Sequence, residues 1–150
     1  MRRHWLQQND VVFSRRGDLS RAAAITQREA GWVCGTGCFL LRVSSKQMNA
    51  EWLAYRYRHP FIQRQVDACA VGSTMPSLNN AVMHGLRFSL PPVEEQDEIV
   101  RQLNSIDNSL RVEAERNEKA KLVKSGLMQD LLTGKVRVKV DEAEEVCAHA

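Results

Sequence analysis

Apolar positions in this chain switch from short continuous runs to helical spacing, and then to one long four-three repeat. Val11-Val12-Phe13 predicts a short buried strand. Arg15-Arg16-Gly17-Asp18 carries turn chemistry, and Ala22 to Ile25 is expected to return as the second strand of a hairpin. Trp32-Val33 precedes Gly35 and Gly37, and Phe39-Leu40-Leu41-Arg42-Val43 is the clearest strand signal. From residue 49 the period changes. Asn49 is placed to cap a helix through Trp52, Leu53 and Tyr57, and His59-Pro60 ends it. Pro60 starts the next helix, whose apolar face is read as Phe61, Ile62, Gln65, Val66 and Cys69. Gly72 to Pro76 reads as a loop, Ser77 as the cap of a short helix from Leu78 to Met83, and Leu86 to Leu90 as a last strand.

The longest pattern follows Pro91-Pro92. Residues from Val93 to Leu132 contain no proline and one glycine, Gly126. Glu94, Glu95, Asp97 and Glu98 crowd the start, where negative charge meets the positive end of the helix dipole, and Gly134 is placed as a C-terminal cap. About forty residues of helix would be roughly 60 Å long. Ile99, Leu103, Ile106 and Leu110 step by four, three and four, and the same register continues to Ala120, Leu127 and Leu131. Glu113, Asn117 and Lys124 interrupt it, so the two ends are apolar and the middle is polar. Two packings fit this pattern, a coiled coil with a second helix and a long amphipathic helix folded onto its own domain. The predicted fold class is α+β, a small mixed domain at 1–92, one long helix at 93–138 and a frayed acidic tail at 139–150.

Charge sharpens this division. Residues 1–92 hold twelve Lys and Arg against five Asp and Glu, while residues 93–150 hold nine against thirteen. A basic globular part joined to an acidic helix points to a polyanion partner for the first and a protein partner for the second. Neither a secretory signal nor an apolar run of about 20 residues is visible, so a cytoplasmic location is expected. Cys34, Cys38, Cys69 and Cys147 lack the spacing of a zinc site and read as reduced thiols. No phosphate-binding glycine loop or nucleophile elbow appears, and Asp10, Asp18 and Asp67 read as isolated carboxylates, so no catalytic residue is assigned.

Several separated stretches together carry a resemblance. They are VVFSRRGDLSRAAAI at 11–25, FLLRV at 39–43, VGSTMPSLN at 71–79, LRFSLPPVEEQDEIV at 86–100 and GLMQDLLTGKVRV at 126–138. In this order they resemble the specificity subunit of type I restriction-modification systems. PP-x-x-EQ-x-x-I leading into a long helix that ends in LLTGK is the most specific part. The resemblance implies a non-catalytic subunit with two target-recognition domains, each reading half of a bipartite DNA site. Each domain is followed by a helix, the two helices pair antiparallel, and they dock methyltransferase subunits. It implies no cofactor for this chain, since S-adenosylmethionine would belong to those partners.

By length, the chain matches the distal part of one recognition domain plus one helix, with further strands expected before Met1. A truncated fragment, a natural half-subunit and a degenerate remnant all fit. With one helix per chain, a homodimer through Ile99, Leu103, Ile106, Leu110, Ala120, Leu127 and Leu131 is expected. The resemblance also sharpens the basic residues. Arg15, Arg16 and Arg21 bracket a turn that can reach double-stranded DNA; Arg56, Arg58 and Arg64 lie on or beside helices; Ser73 and Thr74 offer hydroxyls for phosphates. Ser20 stands where the family turn would carry glycine, so an altered turn is expected. Arg42 and Arg87 are expected to be structural. The alternative function is a coiled-coil interaction protein without DNA binding.

Overall fold

The computed structural model describes residues 4–70 and 77–138. Element order is β1 (Asp10–Ser14), β2 (Ala22–Ala24), β3 (Cys38–Arg42), α1 (Ala50–Arg58), α2 (Pro60–Ala70), α3 (Asn80–Gly85) and α4 (Val93–Leu132). The strands form an antiparallel sheet in the order β2-β1-β3, an α+β arrangement. Register places Val11 opposite Ala24 and Leu41, and Phe13 opposite Ala22 and Phe39. Because side chains alternate across a sheet, Val11 and Phe13 share one face, and both are fully buried. That face packs on α1 through Trp52, Leu53 and Tyr57, with Ile62 and Val66 of α2 and Leu78 completing the core. The Phe13 and Tyr57 rings meet edge to face at 4.6 Å.

Asn49 caps α1 by accepting from Trp52 N–H at 3.0 Å. His59 is extended, as the residue before proline must be, and its N–H closes the helix on Arg56 O. Two expectations are corrected. The short helix begins at Asn80 and is capped by Asn79, whose carboxamide oxygen accepts from Val82 N–H at 2.9 Å; Leu78, assigned to the helix from sequence, is instead fully buried before it. Leu86 to Leu90 is not a strand. Its alternation is real, since Leu86 and Phe88 pack on the core and Arg87 and Ser89 face solvent. Its partner is a side chain: the Gln65 carboxamide accepts from Arg87 N–H at 2.8 Å and donates to Arg87 O at 2.9 Å.

The chain divides into two units, the first running through Asn104 and the second starting at Ser105. The globular unit therefore takes in the start of α4, beyond the boundary at 92 read from sequence. Within this unit Val100 is buried, Ile99 packs against the core, and Leu103 is half-buried. Gln96 is 0% exposed. Its oxygen accepts from Asn49 N–H at 2.8 Å, and its amide donates to Pro91 O at 2.8 Å and Gln47 O at 3.3 Å. Asn49 also donates to Asp97, and Asn104 bonds both Tyr55 and Glu51. This polar seam ties α4 to α1.

In the second unit, Ile106, Leu110, Leu127 and Leu131 are exposed, as is Ala120. Its charged middle forms pairs along the helix, Arg111–Glu115, Arg116–Glu113 and Lys121–Glu118, each between exposed groups and so weak. Gly134 closes the helix with φ +74°, and Val136 N–H reaches back to Asp130 O, a left-handed cap of the predicted kind.

Candidate nucleic-acid interface

The β1–β2 connection presents Arg15, Arg16 and Arg21, all exposed, on a turn with fixed ends. Ser14 N–H donates to Arg21 O at 3.0 Å, closing the hairpin. Arg15 is held on both sides of its backbone: its N–H donates to Gly37 O at 2.9 Å, and its carbonyl accepts from Leu78 N–H at 3.0 Å. Arg16 bridges to Ser77. Gly17 takes φ +74°, a conformation that favours glycine and lets the turn reverse tightly. Leu19 is buried beneath the turn, and its carbonyl accepts from the Tyr57 hydroxyl at 2.8 Å.

The serine at position 20 needs no glycine-like conformation. Its N–H and hydroxyl both donate to Asp18 Oδ1, which holds that carboxyl below its usual range. Asp18 also lies 3.8 Å from Arg21, an exposed contact that leaves the guanidinium available. The result is a cationic turn whose main chain is pinned while its arginine side chains are in water. Such a surface can meet phosphates without first ordering a loop.

Burial drives the Tyr57 phenol up to about 12. Its raised folded value means the stabilisation is complete below the unfolded value of about 10 and is lost as pH rises through about 12. A spectrophotometric titration should show one tyrosine ionising near 12, and Tyr57→Phe should remove that transition. Tyr57→Phe should also cost about 1 kcal/mol in denaturant unfolding, from the bond to Leu19 O.

The other predicted contacts are more committed to the fold. The Arg56 guanidinium stacks 5.4 Å from the Phe61 ring and is half-buried. Arg58 lies 4.7 Å from the Tyr55 ring and donates to Ala54 O. Arg64 is exposed, with a long 3.4 Å bond to Pro60 O. Ser73 and Thr74 lie outside the described residues. Arg42 is structural: it donates to Trp5 O at 3.0 Å and to both oxygens of Asp10, at 2.9 and 3.1 Å. Asp10, read from sequence as isolated, is thus a buried partner, because β1–β3 register places it opposite Arg42. Gln96, read from sequence only as part of the PP-x-x-EQ motif, and Gln65, placed from sequence on the apolar face of α2, instead serve backbone groups far away in the chain with their carboxamides.

Known proteins share both sequence and fold with this chain. Its residues 5–122 match the family described as type I restriction modification DNA specificity domain. It is 27% identical over 122 residues to the type I restriction enzyme MjaVIII specificity subunit of Methanocaldococcus jannaschii, covering 81% of this chain and 27% of that protein. The putative type I restriction enzyme MjaX specificity subunit of the same organism is 29% identical over 83 residues, 55% of this chain and 20% of its own length. The HsdS subunit from Thermoanaerobacter tengcongensis matches in structure with a TM-score of 0.67 and 23% identity, over 93% of this chain and 37% of that one. A chain from a structure concerned with assembly and conformational transition of the type I R-M system matches at 0.71 and 23% identity, over 94% and 37%. The chain thus spans about a quarter of the curated relatives it matches. With most of its length matched to one family, the chain belongs to the type I restriction-modification DNA specificity domain family.

Proposed function

We propose that this chain is a DNA-recognition element of a type I restriction-modification complex. The globular part binds half of a bipartite duplex site, and residues 93–138 pair with a second helix and dock methyltransferase subunits. Catalysis and S-adenosylmethionine belong to those subunits, and the complex acts in the cytoplasm. Among the described residues no helix is long and apolar enough to cross a membrane. The observation that carries the reading is the Arg15, Arg16 and Arg21 turn, exposed and cationic on a pinned backbone, in a chain of this family. Arg64 and Arg58, both exposed, are secondary candidates, and Arg56 a weaker one because it is half-buried. Phosphate contacts release counterions, so affinity for a duplex should fall steeply between about 50 and 200 mM salt. An anisotropy titration at both concentrations tests this, and no binding at the lower one would sink it.

The exposed apolar positions of α4 support self-association. Leu127, Met128 and Leu131 are exposed on the same stretch of helix as Ala120 and Val123. An antiparallel pairing of two copies would set the Ile106–Leu110 end beside the Leu127–Leu131 end and acidic Glu94–Glu98 near basic Lys135–Arg137. Light scattering should give about twice the 17.0 kDa chain mass, and Leu110→Asp with Leu127→Asp should return it to the monomer. A monomer at tens of micromolar would leave the methyltransferase subunits as the sole proposed cover for this face.

A further inference from the structure

The Arg15 turn borders an aromatic cleft that phosphate contacts would leave unused. The segment from His4 lies antiparallel to residues 31–34. Leu6 N–H donates to Trp32 O at 2.8 Å, Gly31 N–H to Leu6 O at 2.9 Å and Cys34 N–H to His4 O at 2.7 Å, with Trp5 facing Val33. These bonds fix the backbone around Trp5 and Val33, yet the two side chains stay 51% and 64% exposed. With His4, Arg15, Thr36 and Cys38 they line an open cleft of about 670 Å³. Among the described residues no carboxylate lines it, and Arg15 contributes a positive charge. The Arg15 amide is in turn bonded to Gly37 O in the same loop as Thr36. One exposed side chain on an anchored backbone therefore belongs both to the cationic turn and to an apolar, aromatic wall.

We propose that this cleft reads base edges of duplex DNA, Trp5 and Val33 packing on a thymine methyl and Arg15 donating to a neighbouring guanine. The inference rests on the DNA-binding reading and adds the residues that would give it sequence preference. Phosphate contacts position a protein on the duplex, whereas apolar contact with the thymine methyl and arginine donors to guanine distinguish base pairs. A polyanion drawn to Arg16 and Arg21 brings its base edges to the cleft that Arg15 shares. The absence of carboxylates among the described lining residues favours this occupant over a basic protein segment.

The test is enrichment of duplexes from a randomised pool by the full chain. Wild type should enrich a short motif holding an A·T pair beside a G·C pair. Trp5→Ala and Val33→Ser should each relax preference at the A·T position about tenfold, with the salt slope on unselected DNA unchanged. Arg15→Ala should relax the neighbouring G·C position. Both apolar positions are exposed, and circular dichroism verifies that the variants fold; Val33→Ser stands alone if Trp5→Ala does not. If wild type enriches a motif that both variants also enrich, the inference falls and DNA binding stands. Loss of oligomer mass in both variants, with the motif intact, would instead mark the cleft as a protein contact and overturn it. If wild type enriches nothing, sequence-specific recognition and the inference fail together.

Discussion

Gln96→Ala should destabilise the globular unit by about 3 kcal/mol, a large share of the 5–15 kcal/mol typical of a domain. Gln96 is fully buried, and its carboxamide serves three main-chain groups, Asn49 N–H, Pro91 O and Gln47 O, through part-buried bonds. Leaving a buried donor or acceptor unsatisfied costs about 1–3 kcal/mol each, and loss of the side-chain volume adds a cavity. Asn49 also caps α1, so the change reaches that helix as well as the start of α4. Gln96→Glu should be at least as harmful, since it removes the two donated bonds and brings a carboxylate into a buried site. The control is Gln102→Ala, whose exposed side chain donates to Glu98, with an expected change within about 0.5 kcal/mol. Urea unfolding followed by circular dichroism measures both. A loss below about 1 kcal/mol at Gln96 would mean that α4 is not held by this seam.

This network explains what the sequence could and could not disclose. Local signals were legible: the cap at Asn49, the break at His59-Pro60, the left-handed Gly134 and the length of α4 all depend on neighbours in the chain. Long-range pairings were not. Asp10 and Arg42 meet only once strand register is set, and Gln65 replaces a strand partner from 22 positions away in the chain. The seam of α4 shows the same limit. Its four-three spacing does not say that Ile99 serves the globular core while Leu110 and Leu127 remain exposed. The arginine turn was visible as composition, but its pinning by Gly37 and Leu78 was not. That pinning is what turns three exposed cations into a candidate site.

Arg15→Ala with Arg16→Ala should weaken duplex binding by tenfold or more at low salt. Each lost phosphate contact also lowers the salt slope by about 1. The matched control is Lys119→Ala with Lys121→Ala, which removes the same charge from α4, where Glu118 already pairs with Lys121. The two variants differ in place and not in net charge, so a general attraction between a basic protein and DNA would weaken equally in both. The most direct measurement is therefore one anisotropy series on a labelled duplex, comparing wild type and both double variants across about 50 to 200 mM salt. DNA recognition by the turn predicts a lower affinity and a shallower slope for the Arg15/Arg16 variant alone, with the Lys119/Lys121 variant close to wild type. Equal losses in the two variants, or no binding by wild type at the lowest salt, would contradict it.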